Sequence, residues 1–165
     1  ESNPLEEPVG GDAEISEGDW SSVVSEDFKA GYGSFRRSEG CTKLYVSPKE
    51  RVGVVRIQES FSVFSNKIVL ANKYSKFKAT FSFYAIQIED EDSFCLDYKT
   101  IEASDWTEEK CWSSLGDFAN KRWVDDTSVE FEAPNAESLW IQFRCSGDSK
   151  HDDVLIDAID IQALA

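Results

Sequence analysis

Residues 138–161 read SLWIQFRCSGDSKHDDVLIDAIDI, and their spacing leaves little choice of local structure. Leu139, Ile141, Phe143 and Cys145 alternate with Trp140, Gln142 and Arg144. That is the period of a half-buried strand, whose successive side chains point to opposite faces. Ser146, Gly147, Asp148 and Ser149 supply turn chemistry, and a second apolar run, residues 154–161, follows with Asp153, Asp157 and Asp160 set in and beside it. Two core strands flanking a carboxylate-rich loop imply sheet.

The pattern recurs along most of the chain. Strand candidates are 23–29, 42–46, 52–58, 66–70, 77–88, 94–101, 109–113, 128–133, 139–145 and 154–163, about ten in all. Gly31, Gly33, Gly40, Pro48, Gly116, Pro134 and Gly147 punctuate them at the spacing of an all-β sandwich. No segment offers a helical apolar stripe. A chain of 165 residues with 41% apolar and 13% aromatic content has material for one core, so a single β-sandwich domain over 23–165 is expected. Residues 1–22 read differently: Pro4, Pro8, the Gly10-Gly11 pair and a run of acids deny them a periodic apolar face. They form an acidic N-terminal arm whose apolar anchors for docking are Leu5, Val9, Ile15 and Trp20.

Charge removes some functions. The net charge is −15, from 17 basic and 32 acidic residues, and residues 1–28 hold nine of the acids with no Lys or Arg. A phosphate-neutralising face cannot be built from so few scattered cations, which argues against nucleic acid and anionic membrane surfaces. No run approaches the ~18 apolar residues of a membrane span, so no direct membrane insertion is expected. A chain starting at Glu1 is expected to have lost any leader it carried. Nucleophilic catalysis has no motif here, whether G-x-S-x-G, H-E-x-x-H or a glycine-rich phosphate loop. The carboxylate pairs Asp90/Asp92, Asp125/Asp126 and Asp152/Asp153 read as solvated acidic loops, and His151 beside Asp152 reads as a surface residue. The chain is expected to bind rather than to catalyse.

Four widely spaced cysteines with a single His make a poor zinc site and a better disulfide set. Cys95 and Cys111 lie in neighbouring strand candidates joined by a hairpin-like loop and are paired, which leaves Cys41 with Cys145. Bridges of this kind belong to secreted, extracellular or lumenal proteins. Four buried thiols in a reducing compartment are the alternative.

Alternation also defines a surface. Phe77, Ala79, Phe81, Phe83 and Ala85 share one face of their strand, with Tyr84 on the other. Phe94, Leu96 and Tyr98 point inward, opposite Asp97 and Lys99. If these strands are neighbours in one sheet, Tyr84, Asp97, Lys99, Trp140, Gln142 and Arg144 form a polar-aromatic face, on which Trp140 would stack on a sugar ring while the amide and guanidinium meet hydroxyls. A protein partner covering Trp140 would use the same face. Trp20, Trp106, Trp112 and Trp123 read as core or loop-packing residues, with Trp106 and Trp123 placed to rim a site at one end of the sandwich.

Taken in order, the segments EDF at 26–28, GYGSF at 31–35, GVVRIQ at 53–58, FSFYA at 81–85, EDSFCLDY at 91–98, LWIQFRC at 139–145 and DDVLIDAIDI at 152–161 resemble the galactose-binding-like jelly rolls of the carbohydrate-binding-module and MAM type. The resemblance implies an extracellular, non-catalytic, carbohydrate-binding-like module with a structural calcium ion, a Ca2+ joining the first and last strands. Asp27 and Asp157 match its metal positions, while Lys29 and Ala158 stand where the pattern usually has acids. The partner is then a glycan or a protein. The rival expectation is an accessory subunit of a larger assembly, docked through the acidic arm against a basic surface.

Overall fold

The computed structural model describes residues 20–29, 35–37, 42–45, 51, 54–58, 60–100, 103–146 and 153–164. They form nine strands and no helix: β1 (Trp20–Glu26), β2 (Arg36–Arg37), β3 (Thr42–Tyr45), β4 (Val54–Gln58), β5 (Ser60–Ile86), β6 (Ser93–Thr100), β7 (Thr107–Ser113), β8 (Trp123–Ser146) and β9 (Asp153–Leu164). All pairings are antiparallel. Three of the four cysteines fall in these residues; Cys41, like Leu5, Val9, Ile15, His151 and Asp152, lies outside them. β1 starts at Trp20, so residues 20–22 of the expected arm run along β9, opposite Gln162–Leu164.

The expected count of about ten becomes nine because two pairs of candidates are continuous. Residues 66–70 and 77–88 both belong to β5, and 128–133 and 139–145 both belong to β8; the short β2 is added. Each long strand serves two layers. In the first layer the leading half of β5 pairs with the trailing half of β8, which pairs with β6, which pairs with β7; β2 lies on the outer edge of β5. In the second layer the trailing half of β5 lies between the leading half of β8 and β9, whose far edge carries β4 and β1 end to end, with β3 beyond β4. The crossover falls where the β5–β8 register shifts, between Val69 and Lys76. Pro134 sits in this irregular stretch, where a missing N–H removes no ladder bond.

The layers close on one another through aromatic rings. Phe81 of the second layer meets Phe143, Trp112 and Phe94 of the first at centroid distances of 5.0, 5.3 and 6.4 Å. Phe83 meets Phe94 at 4.7 Å, and Phe131 stacks on Tyr98 at 4.7 Å. Tyr98 also donates its hydroxyl proton to the Glu132 carbonyl at 3.0 Å, so its polar end is not left bare. The alternation read from residues 139–145 is the observed one: Leu139, Ile141, Phe143 and Cys145 are wholly buried.

The disulfide Cys95–Cys111 joins directly opposed residues of β6 and β7. Cys145 is buried in the core, and its expected partner Cys41 is outside the described residues.

Truncating Phe81 to Ala removes the ring that touches three others across the layers. The expected loss is about 3–5 kcal/mol, read as a lower midpoint in guanidinium unfolding with far-UV dichroism unchanged before the transition. Replacing Cys95 and Cys111 by Ser opens a loop of sequence separation 16. In the same assay it is expected to cost about 3 kcal/mol.

Candidate functional site

The outer face of the first layer is built by strand register. β8 lies between β5 and β6, so Trp140 has Lys67 on one side and Lys99 on the other, and Gln142 stands beside Asp97. Arg144 is opposite Cys95, whose other neighbour is Cys111. Five of the six expected residues, Asp97, Lys99, Trp140, Gln142 and Arg144, thus share one face.

Tyr84 does not join them. It belongs to the trailing half of β5, in the second layer, between Trp123 and Leu155 in register, and is buried with its ring 5.4 Å from that of Trp123. Alternation correctly set Tyr84 opposite Phe83. It could not reveal that β5 changes layer before reaching it.

Asp97 anchors the face. It is 2% exposed, and a buried carboxylate needs partners for its charge and its lone pairs. Oδ2 accepts from Gln142 Nε2 at 2.6 Å and from Arg144 Nε at 2.9 Å, while Oδ1 accepts from Arg144 Nη2 at 3.2 Å. The same Nη2 donates to Glu108 Oε2 at 2.9 Å. The hydrogen bond to Asp97 raises the Arg144 pKa, outweighing burial, and the Asp97 and Glu108 charges add to it. Gln142 Nε2 and Arg144 Nε and Nη2 are therefore engaged within the face, where they hold Asp97.

What the face presents to solvent is Trp140, half-buried, and its neighbours. The Lys67 and Lys99 ammonium groups lie 5.4 and 5.5 Å from the Trp140 ring centroid, and Lys99 lies 5.2 Å from that of Trp106. Trp106, half-buried just before β7, extends the aromatic surface sideways. Lys67 and Trp106 were not named for this face. Lys67 lies in the expected strand 66–70, but nothing in the sequence told that this strand neighbours Trp140.

A second polar cluster surrounds the predicted metal positions. β-Bulges in β8 and β9 flank Ser82: the register slips between Phe81 and Phe83 on one side and between Thr80 and Ser82 on the other. A bulge re-aims side chains, and Asp126 and Ala158, both at positive φ, lie in these two. Asp125 binds Arg51 Nη2 through Oδ1 at 2.9 Å and Oδ2 at 3.1 Å, and Asp157 Oδ2 lies 3.8 Å from Arg51 Nη1. The guanidinium lies over Trp123, 3.9 Å from its centroid. Asp27 Oδ1 accepts the Lys29 backbone N–H at 3.0 Å.

These residues do not suit the implied calcium ion. Such an ion needs six to eight oxygens, and here Arg51 already brings a fixed positive charge to Asp125 and Asp157, with Lys29 also favouring the Asp157 anion. The group Cys95, Glu108 and Cys111 is close enough to hold a metal, but sulfurs bonded to each other offer no thiolate.

Burial pushes the Asp157 pKa up and the Asp27 charge adds to it; the Ala158 amide, Arg51 and Lys29 offset only part. At Asp125 burial opposes ionisation, but hydrogen bonds from Arg51 and Ser82 with the Arg51 charge hold the pKa below the ordinary value. Of the other acids, Asp90 Oδ1 accepts from Ser114 Oγ at 3.3 Å, and Asp153 lies 3.9 Å from Arg56. Trp20, the one described anchor of the expected arm, has Lys78 4.6 Å over its ring. Trp112 is core, and Trp123 begins β8 instead of lying in a loop.

No known sequence family matches the chain, and no curated protein sequence matches it either. Solved structures do. The xylan-binding CBM22-1 domain of Xyn10C from Paenibacillus barcinonensis superposes with a TM-score of 0.59 at 11% identity, over 87% of this chain and 95% of that one. TmCBM61, solved in complex with β-1,4-galactotriose, gives 0.56 at 14% identity over 82% and 92%. The K3 adhesin domain of Lys-gingipain from Porphyromonas gingivalis gives 0.58 at 13% identity over 87% and 98%. The chain has the jelly-roll fold of carbohydrate-binding modules, as the ordered segments implied.

Burial raises the Asp157 pKa, so between the unfolded and the folded value the folded chain holds a proton that the unfolded chain has given up. Stability from this group is complete below about pH 4, the unfolded carboxylate pKa, and is lost as pH rises through the higher folded value. Asp157→Asn is therefore expected to melt above the parent at pH 7 and to converge with it near pH 3, in calorimetric scans across that range. Scans with excess EDTA or millimolar CaCl2 should give the parent's melting temperature; a calcium-dependent rise would contradict the Arg51 assignment.

Proposed function

We propose that this domain is a non-catalytic, carbohydrate-binding-like module that takes a saccharide on the outer face of its first layer. The observation that carries the reading is the registered row Lys67, Trp140, Lys99, with Trp106 beside it, on a sheet face held by the Asp97, Gln142 and Arg144 network. A partly exposed indole suits the apolar face of a sugar ring, and fixed polar neighbours suit its rim. Two of the similar solved structures are described as saccharide-binding, which supports the class of ligand. Asp97 and Gln142 act as positioning residues beneath the contact surface, and Arg144 clamps Asp97 to Glu108. The Cys95–Cys111 bridge supports a secreted, extracellular or oxidising lumenal setting.

The test is a glycan array followed by titration calorimetry on the best ligands. Trp140→Ala is expected to weaken binding at least tenfold, as loss of a stacking aromatic anchor does, while melting within a few degrees of the parent. Binding unchanged by this substitution, or no saccharide bound by the parent, contradicts the proposal.

A further inference from the structure

Around Trp140 the described charged side chains are Lys67, Lys99 and Arg144 against Asp97 and Glu108, although the chain as a whole has a net charge of −15. Among the described residues these carboxylates, Asp97 and Glu108, are both bound by Arg144. Lys67 and Lys99 form no ion pair among the described residues. Both reach toward the same ring from opposite sides, one from β5 and one from β6, in register with Trp140.

Adjacent strands are about 4.8 Å apart, so the backbones bearing the two lysines are separated by about 10 Å, with Trp140 midway. Both ammonium groups lie over that indole, so a sugar stacking on it would displace them from the ring face toward its own edges. A neutral sugar gives these groups only hydroxyls. An anionic substituent at the rim gives either of them a charge-assisted hydrogen bond. Lysine suits this task, since a point charge on a flexible stem can follow a substituent whose position varies along a polymer.

Resting on the saccharide-binding reading above, we infer that the ligand is an acidic polysaccharide, its sugar ring stacked on Trp140 and its carboxylate or sulfate groups met by Lys67 and Lys99. The acidic character of the rest of the protein makes this selective. Polyanions are repelled by the acidic surface, so attraction favours places where an aromatic plane and unpaired cations coincide, and the Trp140 row has two such cations where Trp20 has Lys78 alone.

The experiment compares polygalacturonate and chondroitin sulfate with neutral xylohexaose and β-1,4-galactotriose, using parent, Trp140→Ala and the double variant Lys67→Gln/Lys99→Gln, at low salt and at 0.5 M NaCl. One of the acidic polymers is expected to bind tightest, and which one identifies carboxylate or sulfate as the recognised anion. The double variant is expected to lose about two- to tenfold of that affinity, the scale of two exposed charge pairs. Salt should weaken the parent further than the double variant, because the contacts are solvent-exposed and screened.

Trp140-dependent binding of the neutral sugars, with no preference for the acidic polymers and no effect of the double variant, overturns the acidic ligand and leaves the saccharide reading standing. No Trp140-dependent binding to any of the four overturns both. Poly-glutamate binding as tightly as polygalacturonate shows charge without sugar recognition and also overturns the inference. Melting curves and far-UV dichroism of each variant exclude misfolding as the cause.

Discussion

The structure depends on the register of β8 between β5 and β6. A strand alternates faces at every residue, so a slip of one position would expose Leu139, Ile141, Phe143 and Cys145 and drive Trp140, Gln142 and Arg144 into the core. The slip would bury a guanidinium against Phe81 and Phe94 and bring a row of apolar side chains to water. Fully burying each such side chain stabilises the fold by about 1.5–3 kcal/mol relative to exposure, so the register is specified several times over. The same pairing fixes the core and the outer face at once, and any property of the Trp140 surface is inherited from the packing beneath it.

Asp97 adds a second constraint. A carboxylate 2% exposed on the outward side of a strand is tolerated because Gln142 and Arg144, each reaching across one strand, supply its hydrogen bonds. Removing one member would leave a buried charge or donor without its partner, which is costlier than never having built the pair. The network ties β6 to β8, Glu108 extends it to β7, and the disulfide closes β6 on β7 beside it. Trp140 and Trp106 thus rest on a surface with little freedom to rearrange, which lowers the ordering cost of binding there. The other layer solves its electrostatics differently. Beside two bulges, Asp125 and Asp157 share a single guanidinium, that of Arg51.

Local pattern made much of this legible. The alternation at 139–145, the inward Phe77, Phe81 and Phe83, and the hairpin pairing of Cys95 with Cys111 all follow from the sequence, because they depend on neighbours a few residues away or on the period of a strand. Features that depend on which distant strands meet were not legible. Lys67 and Trp140 are far apart in the chain, and only the fold makes them adjacent. Tyr84 falls in the other layer because the gap between 66–70 and 77–88 reads as the end of a strand but is where β5 changes layer; Pro134 marks the equivalent passage in β8 but reads as a turn. Arg51 lies outside every segment that carried the resemblance, so its contacts with Asp125 and Asp157 had no local signal.

Ligand is expected to meet the first-layer face at Trp140. The most direct test is the indole N–H spectrum of the protein, with each of the five tryptophans assigned, during titration with the saccharide that binds best. The account predicts shifts at Trp140 and Trp106 that saturate together, with Trp20 and Trp123 of the other layer and the core Trp112 unmoved. Saturating shifts at Trp123 or Trp20, with Trp140 unmoved, would contradict it.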